Sequence, residues 1–166
     1  MKNTFEISQF NPCLDGLTYR QTMPDFKTAW EQCPRGDWML WIAKKLDVDL
    51  LKLTTAKALC ANTVRHLMKD ARSTKAIDVA LLFGIGQASK DQLNAAAYDA
   101  YAADVAYADY AADVAYAAAA VDAAVMDTAA VYAADAADTK KQNQLQTANI
   151  CRDVLTEVVF EKLGIL

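Results

Sequence analysis

The sequence predicts an all-α protein, a compact multi-helix bundle with a close-packed segment rich in Ala, Tyr and Asp and a short irregular or extended N-terminal strip. Two observations carry this prediction. Residues 87–163 contain neither Gly nor Pro, and much of this stretch is Ala, the strongest helix former. Before it, short apolar stretches are interrupted by Pro and Gly at spacings that end helices. A chain of 166 residues is long enough for one domain with its own core, so we expect a single domain over residues 1–166.

The N-terminal strip covers residues 1–24. Two turn signals interrupt it, Asn-Pro at positions 11–12 and Asp-Gly at positions 15–16. Apolar side chains at positions 5, 7 and 10 indicate a short strand or an extended segment that lies on the core.

Residues 25–86 predict four short helices. The first begins near Asp25 and has to end before Pro34, because a residue that precedes proline is pushed out of the α region. Asp37 is placed to be the N-cap of the second helix. The third covers about residues 50–69. The fourth begins at a cap formed by Ser73 or Thr74 and ends at the glycines at positions 84 and 86.

A corner rich in Trp joins the first two of these helices. Three Trp near a corner either lock two helices into the core or form an exposed binding patch, and we expect the core. Two interpretations of Cys33 are open. Either the nearby arginine lowers its pKa and makes the thiol reactive, or the thiol is buried and inert, and we favour the buried thiol. The residues assigned to this structural corner are Trp30, Cys33, Pro34, Arg35, Asp37, Trp38 and Trp41.

The Ala-rich region and the C-terminal helix take up residues 89–163. Ser89 and Gln92 match a capping box that begins the region, and the octapeptide of residues 101–108 is repeated at 110–117. One unbroken helix of about 48 residues would be about 70 Å long, whereas a compact domain of this size is about 40 Å across. We therefore expect the segment to fold back near residues 127–128 or 138–139. An elongated molecule and a swapped or homodimeric arrangement stay open.

Acidic side chains concentrate in the same region. Residues 90–138 contain nine Asp and one Lys, within a chain of net charge −4. At 100° per residue, seven of the nine Asp fall in a sector of about 80°, which predicts one acidic edge. This edge is either the solvated side of a packed bundle or a surface for a basic partner. The candidate partner-binding residues are Asp99, Asp109, Tyr110, Asp113, Asp127 and Asp135.

Several classes of function lack support in the sequence. His66 is the only histidine and has no nucleophile or carboxylate at a catalytic spacing, so we expect no enzyme, no metal site and no cofactor. No uncharged run is long enough for a membrane span, and residues 1–10 do not match a secretory signal. Four scattered cysteines without an export signal predict reduced thiols and a cytoplasmic protein. The carboxylates are too sparse to mimic DNA in general, and we expect no direct contact with nucleic acid.

Three segments in order resemble an alanine-rich, all-helical family of immunity proteins from bacteria and prophages. They are residues 30–41 (WEQCPRGDWMLW), residues 75–80 with 86–89, and the Ala-Tyr-Asp repeats that end at residues 143–146 (NQLQ). The resemblance covers about residues 26–163. It implies a cytoplasmic protein that binds and blocks a toxin and carries no catalytic residue.

The expected function is therefore a non-enzymatic inhibitor that neutralises a toxin or nuclease through its acidic helical face. Two alternatives stay open. One is a phage-encoded inhibitor of a host defence nuclease, of the anti-CRISPR kind. The other is a structural helical module that associates with itself.

Overall fold

The structure, a computed structural model, describes residues 5–68, 70–105 and 137–165. Seven α-helices and no strand occur in this part of the chain, which confirms the all-α prediction. Two 3₁₀ turns, Ile7–Phe10 and Arg65–Leu67, accompany the helices. The helices are α1 (Leu14–Thr22), α2 (Phe26–Glu31), α3 (Gly36–Lys45), α4 (Leu50–Asn62), α5 (Ala71–Gly84), α6 (Lys90–Val105) and α7 (Ala137–Leu163).

Helix α4 lies at the centre and contributes to two hydrophobic clusters. Ala56 and Cys60 pack with side chains of α2, α3 and α7 in the larger cluster. Ala58 and Ala61 pack with side chains of α5 and α6 in the smaller one. Because small residues occupy both sides of α4, the neighbouring helices approach it closely.

Two glycines permit close helix contacts. A methyl group on Gly36 of α3 would lie 2.6 Å from the backbone carbonyl carbon of Thr147 in α7. A methyl group on Gly84, the last residue of α5, would overlap the hydroxyl of Thr55 in α4. At Gly36 the helices would have to move apart for a side chain to fit, because backbone lies opposite, whereas at Gly84 the close atoms belong to the side chain of Thr55.

The prediction of an irregular or extended strip over residues 1–24 was wrong for much of that strip, since residues 14–22 form α1. The Asp-Gly pair at 15–16 lies inside the helix instead of forming a turn. The Sγ of Cys13 caps α1 by accepting a hydrogen bond from the backbone N–H of Gly16 at 3.4 Å. Gly16 is buried, and a Cβ there would lie 3.8 Å from the Trp38 ring, so tertiary packing outweighs its low helix propensity.

Two predicted caps were also wrong. Arg35, not Asp37, is the N-cap residue of α3, and Asp37 lies in the first turn, where its carboxylate accepts from the Arg35 guanidinium. Asp70, not Ser73 or Thr74, caps α5, because its carboxylate accepts from the backbone N–H of Arg72 at 2.7 Å. An Asp–Arg pair lies at each of these two helix starts, although only the Asp70 carboxylate caps a backbone N–H.

The third predicted helix, residues 50–69, is shorter in the structure. Helix α4 ends at Asn62, and the Thr63 hydroxyl donates to the Cys60 carbonyl at 2.7 Å, a bond that occupies one of the last carbonyls of the helix. The capping box is confirmed. The Ser89 hydroxyl accepts from the Gln92 N–H at 3.1 Å, and the Gln92 side chain accepts from the Ser89 N–H at 2.8 Å.

Candidate functional site

Helix α6 begins the Ala-rich region and has one buried face. Leu93, Ala96, Ala97 and Ala100 are buried, and they pack with side chains of α4 and α5. Since Ala has almost no side-chain freedom to lose, this packing fixes the helix closely against α5 at little entropic cost. The opposite face of α6 is thereby held in a defined orientation toward solvent.

The outward face of α6 carries an exposed tyrosine and two carboxylates. Tyr98 is 64% exposed, the highest exposure of any aromatic side chain among the described residues. At 100° per residue, Asp91 points within about 20° of Tyr98. Asp99 lies nearer to α5, and its carboxylate is 3.8 Å from the Lys75 ammonium. An aromatic ring flanked by acidic groups therefore faces solvent from a rigid helix.

Some of the aspartates that the structure describes near α5 and α6 form ion pairs with arginine, and others do not. Arg72 bonds Asp70, and Arg65 bonds Asp78, and in each pair the guanidinium holds the pKa of the aspartate below its usual value. Asp91, in contrast, has no ion-pair partner among the described residues. Exposed pairs contribute little to stability, so these contacts mainly determine where negative charge remains available.

The other residues predicted for the acidic edge lie outside the described residues. They are Asp109, Tyr110, Asp113, Asp127 and Asp135. Of the predicted set, the structure places Asp99 alone. The structure adds Tyr98 to this face, a residue that was not among the predicted ones. Its position follows from the spacing of the apolar residues between Leu93 and Ala100, because they occupy the opposite side of the helix.

The three Trp of the corner have different environments. Trp30 is 3% exposed and belongs to the core, where its indole N–H donates to the Thr156 hydroxyl of α7 at 2.9 Å. Trp38 and Trp41 are half-buried and pack against the edge of the same cluster. The corner thus joins α2 and α3 to α7 and leaves two indole rings partly accessible.

Polar contacts hold the corner in place. The Arg35 guanidinium binds the Asp37 carboxylate and lies 4.6 Å from the Trp38 ring centre, a cation–π contact. The hydrogen bond to Asp37 raises the pKa of Arg35. Arg152 of α7 donates to the Cys33 carbonyl at 2.7 Å. Pro34 is exposed between them.

The cysteines in the core are buried thiols. Burial is the main cause that raises the pKa of Cys33, which supports the inert-thiol interpretation over the reactive one. The Sγ atoms of Cys60 and Cys151 lie 3.9 Å apart. The contact with Cys60, followed by burial, raises the pKa of Cys151. These thiols therefore act as packing residues between α4, α3 and α7.

A cavity of about 460 Å³ opens between α1, α2 and α3. Its walls are mainly apolar, with aromatic side chains from all three helices and charged groups from α1, α3 and α4. Tyr19 also lines it and donates its hydroxyl proton to the Ala29 carbonyl at 3.0 Å. Burial is the main cause that raises the pKa of Tyr19 to about 12. The sequence pattern predicted no helix at α1, so a cavity bounded by that helix was not expected.

The remaining features give no further site. His66 is exposed in a 3₁₀ turn, and the described residues contain no group of three or more potential metal ligands. No helix in the described ranges is both long and apolar enough to cross a bilayer. No family model, curated protein or solved structure matches the chain.

Proposed function

We propose that this protein is a non-enzymatic inhibitor of the immunity type, which neutralises a toxin or nuclease by binding its basic surface. The observation that carries the proposal is the outward face of α6. There, a tyrosine that is 64% exposed lies two helical turns from Asp91, an aspartate without an ion-pair partner among the described residues, on a helix fixed by buried alanines.

Tyr98 has the properties of an interface anchor. Tyrosine is enriched among the residues that dominate binding energy, because its ring buries a large apolar area and its hydroxyl still forms a hydrogen bond. A side chain on a helix that is already immobilised also loses less freedom on binding than one on a loop. We therefore assign the larger share of affinity to Tyr98.

Asp91 and Asp99 have a different role in this proposal. Carboxylates at the rim of an interface raise the rate of encounter with a basic partner and contribute less to its residence time. Asp99 is partly neutralised by Lys75, whereas no cation pairs with Asp91 in the part of the chain that the structure describes, so Asp91 is the stronger candidate for steering. The resemblance to immunity proteins supports the same class of partner.

The test is protection of cells from the partner. Candidate toxin or nuclease genes are first sought beside the gene of this protein, and each one found is expressed with wild type, Tyr98→Ala or Asp91→Asn. Wild type should restore growth, and Tyr98→Ala should lose most of the protection. Asp91→Asn should weaken binding of the purified pair mainly at low salt, because screening removes the same attraction at high salt.

Asp153→Asn is the matched control. Asp153 is an exposed aspartate on α7, so its replacement removes the same charge from a helix outside the proposed interface. Protection by folded Tyr98→Ala and Asp91→Asn equal to that of wild type would refute the assignment of this face. Light scattering on the wild-type protein tests the self-associating module, which requires an obligate oligomer.

A further inference from the structure

The cavity between α1, α2 and α3 has the size of a small-molecule site. Its volume of about 460 Å³ falls within the range of roughly 300–1,000 Å³ that is typical of such sites. Protein interiors otherwise pack densely and contain few voids larger than a water molecule. An open space of this size among core side chains is therefore suited to an occupant.

Aromatic rings form much of the wall. Trp30, Trp38 and Trp41, which are all the Trp residues of the chain, line the cavity together with Phe26 and Tyr19. Aromatic rings favour partners that pack edge to face or offset against them. The wall is thus suited to a flat apolar group.

The charged groups at the cavity are mainly cationic. Arg35 and Asp37 neutralise each other through their hydrogen bonds. The other charged residues that line the cavity are Arg20, Lys44 and Lys57, all of them basic. This excess of positive charge favours an anionic group on the occupant.

Among the cations that line the cavity, Arg20 is the one whose guanidinium N–H groups can hold a ligand close to the aromatic wall. Its two Nη atoms donate to the carbonyls of Met23 and Phe5 at the long distances of 3.3 and 3.4 Å. Its Nε is buried against protein and has no acceptor among the described residues, whereas each Nη atom carries a second N–H beyond the bond named above. Lys44, by contrast, is exposed, and Lys57 is buried and already has an interaction of its own.

We propose that this cavity binds a small aromatic carboxylate, with the ring among the Trp side chains and the carboxylate held by Arg20. A carboxylate accepts two N–H bonds from a guanidinium, which would meet the donor capacity of Arg20. This proposal rests on the cavity alone and is independent of the function assigned to α6.

Three probes of matched shape and different charge test it, namely phenylpropanoate, phenylpropanol and phenylpropylamine. Affinity is measured by calorimetry and by the intrinsic Trp fluorescence, since all Trp residues line the cavity. The carboxylate should bind about ten to a hundred times more tightly than the alcohol, which is what charged hydrogen bonds contribute. The amine should bind most weakly.

Arg20→Gln should reduce the affinity for phenylpropanoate to that for phenylpropanol. Arg72→Gln is the matched control, because it removes an exposed arginine that does not line the cavity and should preserve the preference. Equal affinities of wild type for the three probes, or no binding by any of them, would overturn the proposal whether or not Arg20→Gln folds. An unchanged preference in folded Arg20→Gln would overturn the role of Arg20.

Discussion

The two sides of α4 are packed with side chains of different size. On the side of α2, α3 and α7, the core is built from large side chains such as Trp30, Met39 and Phe160. On the side of α5 and α6 it contains mainly Ala, with Ile77, Phe83 and Leu93. In this molecule the cavity and the polar contacts of the corner lie on the side with large side chains, whereas the small residues on the other side let the helices approach closely.

This difference in side-chain size is accompanied by two different kinds of surface on the molecule. The aromatic side has an indentation with polar groups at its wall, which suits a small ligand. The alanine side presents a fixed convex face with Tyr98 and Asp91, which suits a protein partner. Truncation of a large buried ring should therefore destabilise the aromatic side, whereas enlargement of a small residue should destabilise the protein wherever two helices meet closely, at Gly36 on the aromatic side and along α6 on the alanine side.

The largest effect is expected on the aromatic side, from Trp30→Ala. The change removes a buried ring and leaves the Thr156 hydroxyl without its indole donor, and it should cost about 3–5 kcal/mol in the free energy of unfolding. Chemical denaturation monitored by circular dichroism measures it. Trp38→Ala should cost less because Trp38 is only half-buried. Equal costs for the two variants would contradict the placement of Trp30 in the core.

Gly36→Ala should come next. The added methyl meets the backbone of Thr147, which cannot rotate away, so α3 and α7 have to separate at a cost of about 1–3 kcal/mol. Gly16→Ala is the control on the same side of the molecule. Its methyl would lie 3.3 Å from the Cys13 Sγ, a side-chain atom that has to shift by only a few tenths of an ångström, and 3.8 Å from Trp38, so Gly16→Ala should lower the melting temperature less than Gly36→Ala. A larger loss for Gly16→Ala than for Gly36→Ala would refute this account of the helix contact.

Enlargement on the alanine side is tested by Ala96→Leu. Ala96 is buried between α6 and α5, and a leucine there should cost about 1–2 kcal/mol by overpacking. Ala95→Leu places the same side chain on the exposed face and should leave thermal stability nearly unchanged, since Leu is also a good helix former. Similar melting temperatures for these two variants would show that α6 does not pack on α5 by the buried face described.

The smallest effect concerns Tyr19 and pH. Its pKa is raised to about 12 in the fold, from about 10 in the unfolded chain, so the neutral phenol is favoured by folding. The contribution is fully present below pH 10 and is lost as the pH rises through about 12. Tyr19→Phe should remove the part of the slope of stability against pH that Tyr19 contributes in that window. The tyrosinate absorbance difference between wild type and Tyr19→Phe reports the pKa directly, and a midpoint near 10 would contradict the burial of the hydroxyl.

The sequence was informative where local signals and tertiary packing agree. The capping box of Ser89 and Gln92, the helix ends near Pro34 and Gly84, and the all-α class followed from residue types alone. Helix α1 was missed because Gly16 normally weakens a helix, and its compensation by contact with Trp38 depends on a residue 22 positions later. The two cap predictions show the same limit, since Asp37 binds the Arg35 guanidinium and caps no N–H of α3, and Asp70 caps α5 in place of Ser73 or Thr74.

The candidate site was predicted in part. The acidic edge places Asp99 on the face described for α6, but the anchor Tyr98 required knowledge of which alanines are buried. The cavity could not be predicted at all, because it arises from the mutual placement of three helices and not from a local pattern.

The most direct measurement for the proposed partner face is photo-crosslinking from position 98. A benzoylphenylalanine in place of Tyr98 is compared with one in place of Asp153 on α7, in cells that express the neighbouring toxin or nuclease. Our account predicts a covalent adduct with the partner from position 98 and none from position 153. An adduct from position 153 together with none from position 98 would place the interface elsewhere and contradict the account.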